Sequence, residues 1–152
     1  MNFIKKFIGI FLLLSLLVVN SCSKGTNPAT ATSTSSAVPY VAVNISFNIN
    51  NLLYTSLKTV GGTLTLTGGY RGILLYRRDA NTIVAYDRTC TYNISDANGV
   101  VQAQNNGTAI CLDCSSTYSL YNGTVNSGYS TMGLQVYTTT FNSSTGAVTV
   151  TH

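Results

Sequence analysis

Cysteine is the residue of this chain most able to do chemistry, and three of its four cysteines fall in the second half. Cys111 and Cys114 form a Cys-x-x-Cys pair in "TAICLDCSSTYSLYNG" (108–123), and Cys90 lies upstream in "AYDRTCTY" (85–92). Two thiols at that spacing commonly begin a metal or redox site, because the thiolate is both the metal ligand and the nucleophile. Structural zinc asks for four Cys or His ligands, and three thiols fall one short. Asp113 lies inside the pair, but residues adjacent in sequence rarely reach one metal together. The only histidine, His152, is the last residue of the sequence. Thioredoxin-type exchange wants its first cysteine at a helix N-terminus, whereas "SSTYSLY" (115–121) reads as strand. A metal, a disulfide, plain thiols and redox exchange all stay open.

The other cysteine belongs to a different device. "MNFIKKFIGIFLLLSLLVVNSC" carries Lys5 and Lys6, then an apolar stretch over 7–19 that is short for a membrane span, which needs about 20 residues. A basic region, an apolar region and a small-residue cleavage site make a secretory signal. "VVNSC" resembles the lipobox of bacterial lipoproteins, although Asn20 is unusual in one. The resemblance implies removal of residues 1–21 and lipidation of Cys22, hence a membrane partner and anchorage at the bacterial cell envelope, on the outer membrane or the periplasmic face. Simple secretion with a free Cys22 is the alternative. Residues 22–38 are rich in Ser, Thr and Ala and read as a flexible tether. One domain then fills 39–152.

The elements that must position the thiols read as all-β. "VAVNISFNI" (41–49) and "GGTLTLT" (61–67) alternate apolar and polar residues with period two. "GILLYRR" (72–78) and "NTIVAYD" (81–87) flank Asp79-Ala80 as a hairpin, and "LQVYTTTF" (134–141) and "AVTVTH" (147–152) flank the turn "NSSTG". Only "NNLLYTSLKTV" (50–60) offers a helical turn. Short strands between Gly, Asn and Ser turns point to a small sandwich or barrel-like fold of antiparallel strands.

On these residues the chain resembles the Rieske iron–sulfur proteins over about 41–151. Cys90 stands at the first Cys of their Cys-x-His loop and Tyr92 at its His. Cys111 matches the Cys of the Cys-x-x-His-Gly-Ser-x-aromatic loop, Cys114 takes the place of its His, and Ser115 replaces its Gly. Ser116 and Tyr118 match the Ser and the aromatic. Gly128 matches the start of the shielding loop, while Tyr129 and Thr131 replace its prolines. Leu134 and Tyr137 match the Leu-x-x-Tyr strand. The resemblance implies a Rieske-like antiparallel β domain in which the two loops converge. It makes Cys90, Cys111, Cys114 and Tyr92 the candidate ligands of a 2Fe-2S cluster. It equally allows a disulfide from Cys90 to Cys111 or to Cys114 in an oxidising compartment.

The ligand set argues against the cluster. In Rieske centres two imidazoles hold the second iron, and here a phenol with a pKa near 10 and a thiol replace them. The expectation is therefore no cofactor. Catalysis is not expected either: there is no His for a Ser–His or Cys–His pair and no glutamate in the chain. The net charge of +4 comes without a basic run dense enough for nucleic acid, and Arg77-Arg78 reads as a solvated strand end. Two functions remain. One is an envelope lipoprotein on a cluster-free Rieske-like scaffold with a structural or binding role, its ten tyrosines suiting a protein or glycan partner. The other is a divergent 2Fe-2S electron carrier.

Overall fold

The computed structural model describes residues 38–152; the signal, Cys22 and nearly all of the tether lie outside the described residues. Ten strands and one short helix follow in chain order. Strand β1 is Asn44–Asn48, a 3-10 helix spans Leu52–Lys58, and β2 is Thr63–Leu66. Strands β3 (Ile73–Arg77) and β4 (Ile83–Asp87) make the central hairpin. Four short strands come next: β5 (Val101–Ala103), β6 (Thr108–Cys111), β7 (Thr117–Ser119) and β8 (Val125–Ser127). Strands β9 (Val136–Asn142) and β10 (Ala147–Thr151) close the domain. The domain is all-β, as the alternation predicts.

All pairings are antiparallel. The larger sheet has the order β1-β10-β9-β4-β3-β2, and the smaller one runs β5-β6-β7-β8. The larger sheet curls: a Cβ placed on Gly68, just past β2, would lie 3.3 Å from Ile45 on the opposite edge strand. Local chemistry sets the turns. Asn81 N–H donates to Asp79 Oδ1 at the β3–β4 turn. At the β9–β10 turn, Asn142 Oδ1 accepts from the N–H groups of Ser144 and Thr145.

The central hairpin is buried on both faces, which explains its unbroken apolar runs. Ile73, Leu75, Ile83 and Ala85 face one core with Leu57, Val148 and Val150. Leu74 and Tyr86 face a second core with Cys90, Val101, Cys111, Tyr118, Leu120 and Leu134. The smaller sheet and its cysteines therefore stand on the back of the hairpin.

One expectation fails here. Arg77 is buried rather than solvated. Its guanidinium donates to the carbonyls of Leu57, Asp79 and Ala80 and lies 4.3 Å from the Phe141 ring centroid. A buried cation must be hydrogen-bonded, and these carbonyls tie the 3-10 helix to the hairpin turn. Arg78 alone is the partly solvated member of the pair.

Candidate metal centre

Each thiol is placed by backbone pairing. Beyond β4 the chain turns under Asp87, whose Oδ1 accepts the Thr89 N–H at 2.9 Å. Thr89 then bridges to Val100, and Cys90 N–H donates to Gly99 O at 2.8 Å. Cys111 is the last residue of β6, paired with Val101. Its N–H donates to Ser116 O, and Ser115 N–H donates back to Cys111 O, closing a tight loop around Cys114. That closure puts Ser115 at φ 58°, the one non-glycine residue at positive φ among the described residues. The left-handed region costs a non-glycine residue about 1–2 kcal/mol. This is the position where the resemblance has glycine.

The sulfurs of Cys90, Cys111 and Cys114 lie within 4.8 Å of one another. All three are free thiols, with Cys90 and Cys114 3.3 Å apart. Cys90 and Cys111 are buried; Cys114 is half-buried. Hydroxyls surround them. Tyr118 Oη stands 3.5 Å from Cys90 Sγ and 3.2 Å from Thr91 Oγ1, which in turn lies 2.7 Å from Ser130 Oγ. Ser116 Oγ stands 3.1 Å from Cys114 Sγ and accepts the N–H groups of Tyr129 and Ser130, each at 2.9 Å. Ser116 thus straps the loop that begins at Gly128 down against the thiols. Gly128 is required there, because a Cβ would sit 2.5 Å from Ser116 Cα.

Cys111 and Cys114 differ in their hold on the proton. Burial pushes Cys111 up to about 12, even though the backbone N–H groups of Cys114 and Asp113 face its sulfur. Burial also raises Cys114, but the Ser116 hydroxyl, the Ser116 N–H and the other two thiols outweigh it and hold Cys114 below an ordinary thiol. Between these two, negative charge therefore favours Cys114, which is half-buried, over the buried Cys111. Burial likewise pushes Tyr118 up to about 12.

Cys90, Cys111 and Cys114, three of the four candidate ligands, converge; the fourth, Tyr92, lies largely in solvent. Its side chain is 52% exposed and its ring packs 5.6 Å from that of Tyr129. The phenol at the sulfurs is Tyr118. His152 packs against Tyr40 and Tyr137, its Nδ1 3.3 Å from Val41 O, away from the thiols. Asp113 is exposed and does not join the group. Tyr118, Thr91, Ser116 and Ser130 form the shell that residue types alone leave unassigned. The motif places Ser116 and Tyr118 in the right loop, but nothing in the sequence gives Thr91 and Ser130 a role.

These donors fit one ion better than two irons. A two-iron cluster takes four protein donors, two on each iron. The expected assignment gives Cys90 and Cys114 to different irons, yet theirs is the 3.3 Å contact. Sulfurs sharing one ion at about 2.3 Å stand about 4 Å apart, which suits three sulfurs within 4.8 Å. Compared with known proteins, the chain matches no protein-family model and no curated protein sequence.

Proposed function

We propose that this chain is a lipid-anchored protein of the bacterial envelope whose Rieske-like β domain has given up the two-iron cluster and binds a single metal ion through Cys90, Cys111 and Cys114. The convergence of those three sulfurs within 4.8 Å carries the reading. The leader, the lipobox-like "VVNSC" and the tether support the anchor. The reading is binding and not catalysis, because the one histidine that could serve a Ser–His or Cys–His pair packs against Tyr40 and Tyr137. Binding replaces thiol protons by metal, so uptake releases protons and strengthens with pH. Cys114, the half-buried one of the three, is the first ligand an ion meets.

The electron-carrier reading draws on one observation, the hydroxyls of Tyr118 and Ser116 at the sulfurs, since hydrogen bonds to sulfur tune cluster potentials. The donor count weighs against it. Elemental analysis and an absorption spectrum of anaerobically purified full-length chain decide. One metal ion per chain without labile sulfide is expected. Two irons with two labile sulfides and visible absorption would establish the electron carrier instead. Three free thiols that take up no metal would leave a structural role.

A further inference from the structure

We infer that the ion these sulfurs select is thiophilic and content with three ligands, copper(I) in preference to zinc(II), held in a trigonal shell by Cys90, Cys111 and Cys114. The inference rests on the metal-binding reading above and names its ligand.

The number and softness of the donors carry it. Spacing suits either ion, because three sulfurs about 2.3 Å from one centre stand about 4 Å apart in a plane and slightly closer in a tetrahedron. Zinc in a structural site is almost always four-coordinate. Among the described residues, no histidine, aspartate or glutamate joins the three sulfurs. The nearby oxygens are neutral hydroxyls already engaged: Tyr118 with Thr91, and Ser116 with two backbone N–H groups. An all-thiolate set favours soft ions, and copper(I) completes its shell with three sulfurs.

Charge runs the other way, and the surroundings answer it. Three thiolates leave more negative charge around a monovalent ion than around a divalent one. The hydroxyl of Tyr118 reaches Cys90, the N–H of Ser116 faces Cys114, and the N–H groups of Asp113 and Cys114 face Cys111. Each sulfur thus has a donor to spread its charge. Loading is a ligand exchange: three S–H bonds give way to three sulfur–metal bonds, three protons leave, and no electron moves.

The test is an anaerobic titration of the reduced full-length chain with copper(I) against a chromophoric copper(I) chelator. Parallel titrations use zinc(II) and cobalt(II), and X-ray absorption examines the loaded protein. One copper(I) per chain in an all-sulfur three-coordinate shell is expected, with zinc displaced by one equivalent of copper(I). Cys90→Ser and Cys114→Ser should each lose more than the roughly hundredfold upper end of an outer-shell change, and Tyr118→Phe about tenfold. Circular dichroism checks that each variant is folded, and the wild-type competition separates the two ions without them. Four-coordinate cobalt(II) or zinc(II) that copper(I) fails to displace overturns the inference and leaves the metal-binding reading standing. A reduced chain that takes none of the three ions, or that carries two irons with sulfide, overturns both.

Discussion

The sulfur of Cys114 lies 3.3 Å from that of Cys90 across 24 residues of chain. Mild oxidation of the metal-free protein should therefore join these two and leave Cys111 as the free thiol. Closing that loop should add about 3 kcal/mol of stability. Peptide mapping under non-reducing conditions identifies the bridge, and a bridge from Cys90 to Cys111 would contradict the geometry.

Ser115 and its backbone make the second prediction. Ser115→Gly removes the penalty of φ 58° but adds freedom to the unfolded chain, a partly offsetting loss of about 0.4–1 kcal/mol. A net gain of about 0.5–1 kcal/mol by chemical denaturation is expected. Ser115→Val should lose stability at the same position, since a β-branched side chain tolerates that region less well. Equal stability of all three proteins would show that the loop has no such strain.

Two tyrosines near the thiols should part company. Tyr92→Phe changes an exposed ring packed on Tyr129 and should leave metal affinity within about twofold. Tyr118→Phe removes the hydroxyl facing Cys90, with a loss of about tenfold, the lower end of the range for outer-shell partners. Competition titrations of both variants check this, and the reverse order would restore Tyr92 as a ligand.

Away from the thiols, the wholly buried Asp87 accepts from Tyr137 Oη at 2.6 Å and from Tyr70 N–H at 2.7 Å on Oδ2. Tyr137→Phe should lower stability by about 1.5–3 kcal/mol, the range for a hydrogen bond to a charged group. Metal stoichiometry should stay unchanged, because Thr89 and the turn into Cys90 hang on the other oxygen, Oδ1. Denaturation curves and metal analysis read the two effects separately.

Buried tyrosines also predict alkaline behaviour. Burial pushes Tyr86 up to about 12, with Arg78 opposing, and burial followed by Asp87 raises Tyr137 as well. Unfolded tyrosine titrates near pH 10. Below that value both states hold the proton and stability is full. Above it the unfolded chain sheds protons that the native state keeps, so stability falls as pH rises. The chain has no tryptophan, so tyrosinate absorbance follows the transition cleanly. Stability that holds constant well past pH 10 would refute the assignment.

The fold is legible in the sequence where one face of a strand is wet. Alternation marks β1 and β2, and turn residues mark both long hairpins. The strands β5 and β8 are three residues each, too short for any period to register. Arg77 misleads because a charge at a strand end looks solvated until the carbonyls of a distant helix close over it. At the centre, spacing marks Cys111 and Cys114, and the resemblance brings Cys90 to them. Tyr118 stays hidden behind Tyr92, since only the folded loops decide which phenol turns inward.

The thiols sit in an apolar cluster that includes Leu74, Tyr86, Val101, Leu120 and Leu134. Zinc fingers collapse when stripped, because in them the ion supplies most of the folding energy. Here the hairpin's rear face already supplies a core. If the proposed ion binds here, its occupancy can rise and fall with supply while the scaffold keeps its shape, a behaviour that would suit a reversible reservoir or gauge better than a permanent rivet.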